Sequence, residues 1–184
     1  MWNDSSETVI RELADLRLPG QITRRQTSYW DIAVLRAGHR SSYRIHFRGK
    51  REARFADPDF VSCSLESDHP LLVDYLEPRD TLSFRGAAQD PARLLRSLEE
   101  LALRQSDGWR SLTTYLNPQI NVLELIKSGG GVLLKGPRPL VRNAKIVLKN
   151  EGIEATILEH QPLCPAAQVL LLSRNFVIAR GLQS

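Results

Sequence analysis

Two amphipathic segments with the same apolar spacing constrain the fold of this chain more than any other feature. Each follows a short apolar run, a glycine and a proline, which is the order expected where a strand turns into a helix. The apolar positions are Leu94, Leu95, Leu98, Leu101 and Ala102 in one segment, and Leu140, Val141, Ala144, Val147 and Leu148 in the other. The sequence therefore predicts two strand-to-helix units, with strands over 81–84 and 132–134. We attribute the match to the ordinary construction of such units and not to duplication.

The N-terminal half has an apolar period of two instead of a helical period. The alternating apolar residues are Trp30, Ile32 and Val34, followed by Tyr43, Ile45 and Phe47. This alternation is typical of half-buried strands, and Gly38 and Gly49 supply the turns. A further strand is predicted over 60–65, and an amphipathic helix with hydroxyl caps is predicted over 5–16. Together these strands predict an antiparallel meander.

The middle of the chain contains residues that typically end helices. Helical segments are predicted over 109–116 and 120–127, and the second of them should end at Gly129. The helix predicted over 139–150 should end at Gly152 in a Schellman arrangement, because an apolar residue follows that glycine. The central part of the chain is therefore predicted to be mainly helical.

The C-terminal third combines one crossover with a terminal hairpin. A strand over 155–158 should run parallel to the strand over 132–134, because a right-handed helical crossover joins them. Apolar runs at 169–172 and 176–179 then form a hairpin. The sequence therefore predicts an α+β fold with an N-terminal antiparallel meander, central helices and a C-terminal β-α-β-β unit.

The length and composition of the chain fit one globular protein. With 184 residues, of which 42% are hydrophobic and 25% are charged, we expect a single compact domain over 1–184. Sub-lobes over 1–88 and 89–184 are the alternative division. No apolar run approaches the roughly 18–20 residues of a membrane span, and the first residues are too acidic for a secretory signal. We therefore expect a cytoplasmic protein without a membrane span.

The formal net charge is only +4, but the charges are segregated along the chain. Residues 17–54 have a net charge of +8, residues 55–125 of −6 and residues 126–184 of +5. Basic surfaces of this kind attract nucleic acid or acidic proteins. The negative middle and the positive flanks can also pair between copies, so a homo-oligomer is a further hypothesis.

The helix predicted over 139–150 has a row of cations opposite its apolar stripe. The row consists of Arg138, Arg142, Lys145 and Lys149 at offsets of zero, four, seven and eleven, with Lys135 just upstream. Such a row can follow a phosphate backbone with strongly salt-dependent affinity. The alternative interpretation is an ordinary solvated helix face, since lysine and arginine are good helix formers.

A second group of cations surrounds the predicted hairpin of the meander. It comprises Arg44, His46 and Arg48 side by side on the polar face, then Lys50, Arg51 and Arg54, with Arg24, Arg25, Arg36 and Arg40 nearby in sequence. This face can meet nucleic acid, anionic lipid headgroups or an acidic protein patch. Few aromatic residues accompany it, which weakens a single-strand interpretation. The alternative is an edge hairpin that its charges protect from strand pairing.

The residues suited to nucleophilic or metal chemistry are few. Cys63 and His69 are close in sequence and support a nucleophile hypothesis, for which a buried structural cysteine is the alternative. Neither Cys63 nor Cys164 has a metal-ligand neighbour, and the histidines have no ligand spacing. The glycine run at 129–131 precedes a strand and does not open a helix, as a phosphate loop would. We therefore expect no metal and no cofactor.

These features favour a non-catalytic binding or adaptor protein that docks on an acidic protein partner or a nucleic acid through basic surfaces. The predicted partner-binding residues are Arg44, Arg48, Lys50, Arg51, Lys135, Arg138, Arg142, Lys145 and Lys149. One alternative is a sequence-tolerant nucleic-acid-binding protein, whose affinity should collapse as salt rises. The other is a small enzyme that uses Cys63 or His69.

Overall fold

The computed structural model of the chain describes residues 6–16, 18–160 and 167–183. Its helices are α1 (Ser6–Leu16), α2 (Val73–Leu76), α3 (Pro91–Gln105), α4 (Val122–Ser128) and α5 (Arg138–Asn150), with short 3₁₀ turns at Pro70–Leu72 and Leu112–Thr114. Its strands are β1 (Gly20–Arg25), β2 (Tyr29–Arg36), β3 (His39–Arg48), β4 (Glu52–Arg54), β5 (Asp59–Phe60), β6 (Cys63–Glu66), β7 (Arg79–Arg85), β8 (Gly130–Pro137), β9 (Glu154–Leu158), β10 (Gln168–Leu172), β11 (Asn175–Ala179) and β12 (Gly181–Gln183). The predicted α+β class is confirmed.

Contacts within the chain divide it into two compact units. The first unit consists of residues 1–72 and 166–184, and the second unit consists of residues 73–165. Each unit has its own hydrophobic core. The described helices include none that is long and apolar enough to cross a membrane.

The first unit is built from two antiparallel sheets. One sheet has the strand order β12-β3-β2-β1-β5, and the other has the order β4-β11-β10-β6. In β2 and β3 the apolar side chains at alternate positions face inward, as the period of two predicts, and Trp30 lies opposite Ile45. Apolar residues of both sheets and of α1 share one core, in which Ile10 and Ile32 are fully buried.

The predicted strand over 60–65 is divided between these two sheets. β5 pairs with β1, whereas β6 pairs with β10. At the break, the Ser173 hydroxyl accepts hydrogen bonds from the amides of Val61 (2.9 Å) and Ser62 (3.3 Å). The backbone groups between the two short strands are therefore satisfied by the terminal hairpin. The alternation of apolar residues does not predict β1, because Ile22 is its only buried residue.

The terminal hairpin of β10 and β11 forms as predicted, but it belongs to the first unit and not to a C-terminal β-α-β-β unit. β10 pairs with β6, and β11 pairs with β4. All five residues of β11 are buried. A strand that is buried on both faces belongs inside a packed sheet, and β11 lies between β4 and β10.

The second unit contains a three-stranded antiparallel sheet with the order β8-β7-β9. β7 is antiparallel to both neighbours, so β8 and β9 run parallel to each other, as predicted for their crossover. They are not adjacent, however, because β7 lies between them. α3 and α5 bury their predicted apolar stripes in one core with this sheet, and Leu98, Ala144 and Leu148 are fully buried.

The ends of α3 and α5 follow local signals in the sequence. The carboxylate of Asp90 accepts a hydrogen bond from the amide of Arg93 (2.9 Å) at the start of α3. α5 ends in the predicted Schellman arrangement, in which Gly152 has a φ of 73° and the amide of Ile153 donates to the carbonyl of Leu148 (3.0 Å).

The helix predicted over 109–116 is wrong in extent, since only Leu112–Thr114 form a 3₁₀ turn. The amide of Leu112 donates to the carboxylate of Glu99 on α3 (3.0 Å), and the carbonyl of Tyr115 accepts from the amide of Lys135 (2.9 Å). These tertiary hydrogen bonds take the place of helical ones. They could not be read from the local pattern.

Asn175 connects the terminal hairpin to the loop after β4. Its buried side chain accepts hydrogen bonds from the amides of Ala56 (2.7 Å) and Asp57 (3.1 Å) and donates to the carbonyls of Asp57 (2.7 Å) and Leu172 (3.0 Å). We predict that Asn175→Ala lowers the free energy of unfolding in urea by about 2–4 kcal/mol, because four hydrogen bonds to backbone groups of the loop and the hairpin are lost together. Arg174→Ala, at the exposed neighbouring position, should change it by less than about 0.5 kcal/mol. Equal losses in the two variants would contradict the role given to Asn175.

Candidate anion-binding surface

Strand β3 presents cations on the face of its sheet that is opposite the core. Arg44 and Arg48 are exposed and His46 is half-buried, whereas the intervening Ile45 and Phe47 are buried. This is the arrangement that the sequence alternation predicts. Whether each cation is available to a partner depends on its own counter-ions.

Arg44 is paired within its own sheet. Its Nε and Nη2 donate to the two carboxylate oxygens of Asp31 at 2.7 and 3.0 Å, and its guanidinium lies 4.3 Å from the ring centre of Tyr29. The hydrogen bond between the two side chains lowers the pKa of Asp31 and raises the pKa of Arg44. Arg44 therefore has an internal counter-ion and has less charge to offer an external anion.

A groove lined by β1, the turn between β1 and β2, and the segment from Lys50 to Phe55 brings three other cations together. Its volume is about 600 Å³. The polar lining residues are Thr23, Arg24, Arg25, Gln26, Thr27 and Lys50, and the apolar ones are Ile22, Trp30, Ala53 and Phe55. None of the described residues that line it is acidic. We call this feature the basic groove.

Arg25 is oriented by an aromatic ring beside the basic groove. Its guanidinium lies 3.5 Å from the centre of the Phe55 ring, which is a cation–π contact. The amide of Gln26 donates to the carbonyl of Tyr29 (2.8 Å) and closes the turn that follows Arg25. A guanidinium that stacks through its face keeps its in-plane N–H groups for an anion. Arg25 therefore offers a planar set of donors.

The other hairpin cations adjoin the basic groove in sequence. Lys50 lines it, and Arg48 and Arg51 are exposed on either side of Lys50. In the described ranges there is no ion pair for four of these cations, Arg24, Arg48, Lys50 and Arg51. The predicted set thus contains Lys50 but lacks Arg24 and Arg25. Their only signal in the sequence is an arginine pair directly before a polar turn.

The cation row predicted on α5 is divided by internal ion pairs. Nε of Arg138 donates to the carboxylate of Asp80 (2.8 Å), and Nη2 of Arg142 donates to the carboxylate of Glu159 (3.2 Å). The exposed members for which the described part of the chain provides no ion pair are Lys145 and Lys149. The four side chains are therefore not one continuous free cationic surface.

Asp80 is the centre of a polar cluster in the second unit. It is fully buried on β7, and its Oδ1 accepts a hydrogen bond from the amide of His160 (2.9 Å). Nη2 of Arg138 also donates to the carbonyl of His160 (3.1 Å). The hydrogen bond from Arg138 is the main cause that lowers the pKa of Asp80. Arg138 therefore compensates a buried carboxylate, which is a structural use of its charge.

The start of α5 has few donors for an anion. The amide of Arg138 donates to the carbonyl of Pro78 (2.8 Å), and Pro137 and Pro139 have no amide hydrogen. An anion site at a helix start needs free amides. Lys135 is exposed on β8 just before this point.

Cys63 and His69 each have local surroundings that fit a structural role. Cys63 is buried on β6, and burial raises its pKa to about 12. Nδ1 of His69 accepts a hydrogen bond from the amide of Leu71 (3.1 Å) at the adjoining 3₁₀ turn. Cys164 lies outside the described residues. Across the described ranges there is no group of three or more side chains suited to hold a metal ion.

No family model, curated protein or solved structure is significantly similar to this chain. Function must therefore be inferred from the chemistry of the side chains. The basic groove is the strongest candidate for a binding site, because three cations and no acidic residue line it.

The Asp80 cluster predicts a pH-dependent stability difference. We expect Asp80→Asn to lower the free energy of unfolding by about 2–4 kcal/mol at pH 7, because Arg138 loses its ionised partner. The pKa of Asp80 is lowered in the folded state, so its contribution is present above the ordinary carboxyl pKa of about 4 and is lost as the pH falls below it. Urea unfolding between pH 7 and 3 should show that the difference in free energy of unfolding between the wild type and Asp80→Asn becomes smaller as the pH falls. Glu100→Gln, an exposed control on α3, should change stability by less than about 0.5 kcal/mol. A stability difference between these two proteins that stays constant to pH 3 would contradict the role given to Asp80.

The burial of Cys63 predicts low thiol reactivity. In a Cys164→Ser background, we expect Cys63 to react with an aromatic disulfide reagent at pH 8 roughly a hundredfold more slowly in the folded protein than in urea, because the thiolate is rare and shielded. The released chromophore gives both rates. Similar rates in the two conditions would restore the hypothesis of a reactive cysteine.

Proposed function

We propose that this chain is a non-catalytic binding protein that docks on an acidic protein partner through the basic groove. The observation that carries the proposal is the meeting of Arg24, Arg25 and Lys50 around one groove without an acidic residue in its lining. Arg44, Arg138 and Arg142 form ion pairs with carboxylates, whereas Arg24, Arg25 and Lys50 form none within the described ranges and line a groove open to solvent. A concave surface of one sign concentrates ligands of the opposite sign.

The aromatic rings beside the basic groove favour a protein partner over a single-stranded nucleic acid. Base stacking needs an open ring face. The Phe55 ring is covered by Arg25, and the Tyr29 ring is contacted by Arg44. Trp30 is only 3% exposed. Carboxylates of an acidic protein need no such ring, since they pair directly with arginine and lysine.

The chemistry of the cysteine and histidine residues supports binding over catalysis. Cys63 is buried and its pKa is raised to about 12 by burial, so little thiolate exists at neutral pH. His69 accepts a local backbone hydrogen bond through Nδ1. A nucleophile needs a neighbouring base and access to substrate. These positions therefore serve the fold better than they serve a reaction.

The proposal predicts that one groove cation matters more than an equal charge elsewhere. We expect Lys50→Glu to weaken the binding of a fluorescein-labelled peptide of alternating glutamate and glycine about tenfold, because attraction becomes repulsion at the groove. Lys149→Glu makes the same change of charge on α5 and should weaken binding less than about twofold. Fluorescence anisotropy at two salt concentrations measures both affinities, which should fall as salt rises.

Two results of this titration would overturn the proposal. Equal losses in Lys50→Glu and Lys149→Glu would mean that the peptide responds only to overall positive charge. A single-stranded RNA with the net charge of the peptide that binds more tightly than the peptide would identify a nucleic-acid-binding protein instead. Urea unfolding of both variants establishes that each retains its fold.

A further inference from the structure

We infer that the basic groove receives a phosphorylated side chain of the acidic partner, an inference that rests on the function proposed above. The first argument is the match of charge. Three cationic residues line the groove and no acidic residue does. A carboxylate supplies one negative charge, whereas a phosphomonoester supplies about 1.5 to 2 charges at neutral pH and three terminal oxygens. The phosphomonoester thus neutralises more of this lining through a single side chain.

The second argument is the geometry of Arg25. Its guanidinium is stacked on Phe55 at 3.5 Å, which sets the plane of its donors. A planar guanidinium fork matches two oxygens of a phosphate at once. Lys50 reaches the same groove from the other lining segment and supplies a point charge with rotatable donors. Arg25 therefore orients the phosphate, and Lys50 adds positive charge.

The neutral residues of the lining add hydrogen-bonding capacity for a phosphate. Gln26 and Thr27 are exposed in the turn between β1 and β2 and line the groove. Thr23 also lines it, although its hydroxyl donates to the carbonyl of Asp31 (3.2 Å). An amide and a hydroxyl can donate to the terminal oxygens that Arg25 and Lys50 leave unpaired.

The third argument is size. The groove volume of about 600 Å³ lies in the range of sites that hold a small organic group. It has room for the side chain that bears a phosphate as well as for the phosphate. The diester of a nucleic-acid backbone has one charge and two free oxygens at each unit. A terminal monoester therefore makes fuller use of the three cations than a diester does.

The test uses the full chain and two fluorescein-labelled acidic peptides of equal net charge. One contains a phosphoserine, and in the other glutamate residues replace the phosphoserine and supply its charge. We expect the phosphopeptide to bind about tenfold more tightly, because its contact with Arg25 is bidentate and charge-assisted. We also expect inorganic phosphate to displace it more effectively than sodium chloride does at the same ionic strength.

A charge-conserving variant tests the role of Arg25. Arg25→Lys keeps the charge but removes the planar fork, so the tenfold preference for the phosphopeptide over the glutamate peptide should fall to about twofold or less. Arg48→Lys makes the matched change at an exposed position outside the groove lining and should preserve the preference. Circular dichroism checks the fold of each variant.

The outcomes separate this inference from the proposed function. If the wild-type chain binds both peptides equally, or if the preference persists in Arg25→Lys, the phosphate inference is overturned and docking on an acidic protein still stands. If neither peptide binds, the proposed function fails as well.

Discussion

The antiparallel register of β2 and β3 is the constraint on which the first unit depends. It sets Trp30 opposite Ile45 on the buried face and Asp31 opposite Arg44 on the other face. Because side chains alternate along a strand, a shift of one residue would exchange the apolar and cationic faces completely. On its other side β2 pairs with β1, and the amide of Gln26 donates to the carbonyl of Tyr29 to close the turn that follows Arg25. Strand β2 therefore contributes to the core through its pairing with β3 and borders the basic groove through its pairing with β1.

The cations of this protein fall into two groups that differ in their surroundings. Arg44 and Arg138 each form a short ion pair with an aspartate of a neighbouring strand, Arg44 with Asp31 of β2 and Arg138 with Asp80 of β7. Arg25 and Lys50 lie where strands end and turns begin, and the lining that they share with Arg24 has no acidic residue. Arg24 lies opposite Asp31 and helps to lower the pKa of that aspartate, which already forms its ion pair with Arg44. The charge of Arg138 supports the fold, since its loss would leave the buried carboxylate of Asp80 uncompensated. The charge of Arg44 is matched by Asp31 in a more exposed pair. Charge in the second group is directed to solvent, where it can meet a ligand.

Sequence patterns predicted those features that depend on neighbouring residues. The stripe of α5, its Schellman end at Gly152 and the alternation of β3 are set by spacing within a few residues, and all of them are present. The pairing of Asp80 with Arg138 joins positions 58 residues apart, so no local pattern could reveal that part of the predicted row is neutralised. Local patterns also cannot show which distant strands pair, so they assign the terminal hairpin to the wrong sheet. The basic groove could be predicted only in part, because β1 has one buried residue and no alternation to place Arg24 and Arg25.

The positive charges around the basic groove also affect the stability of the fold. Like charges held around one cavity repel each other and destabilise the compact state, and here no acidic lining residue offsets them. An anion that binds the folded chain and not the unfolded chain removes that repulsion and adds its binding free energy to stability. The cation–π contact of Arg25 with Phe55 partly compensates one of the charges without neutralising it. An arrangement that keeps three cations together, with one of them stacked on a ring and none in an ion pair with a lining carboxylate, therefore supports the proposal that the basic groove binds an anionic group.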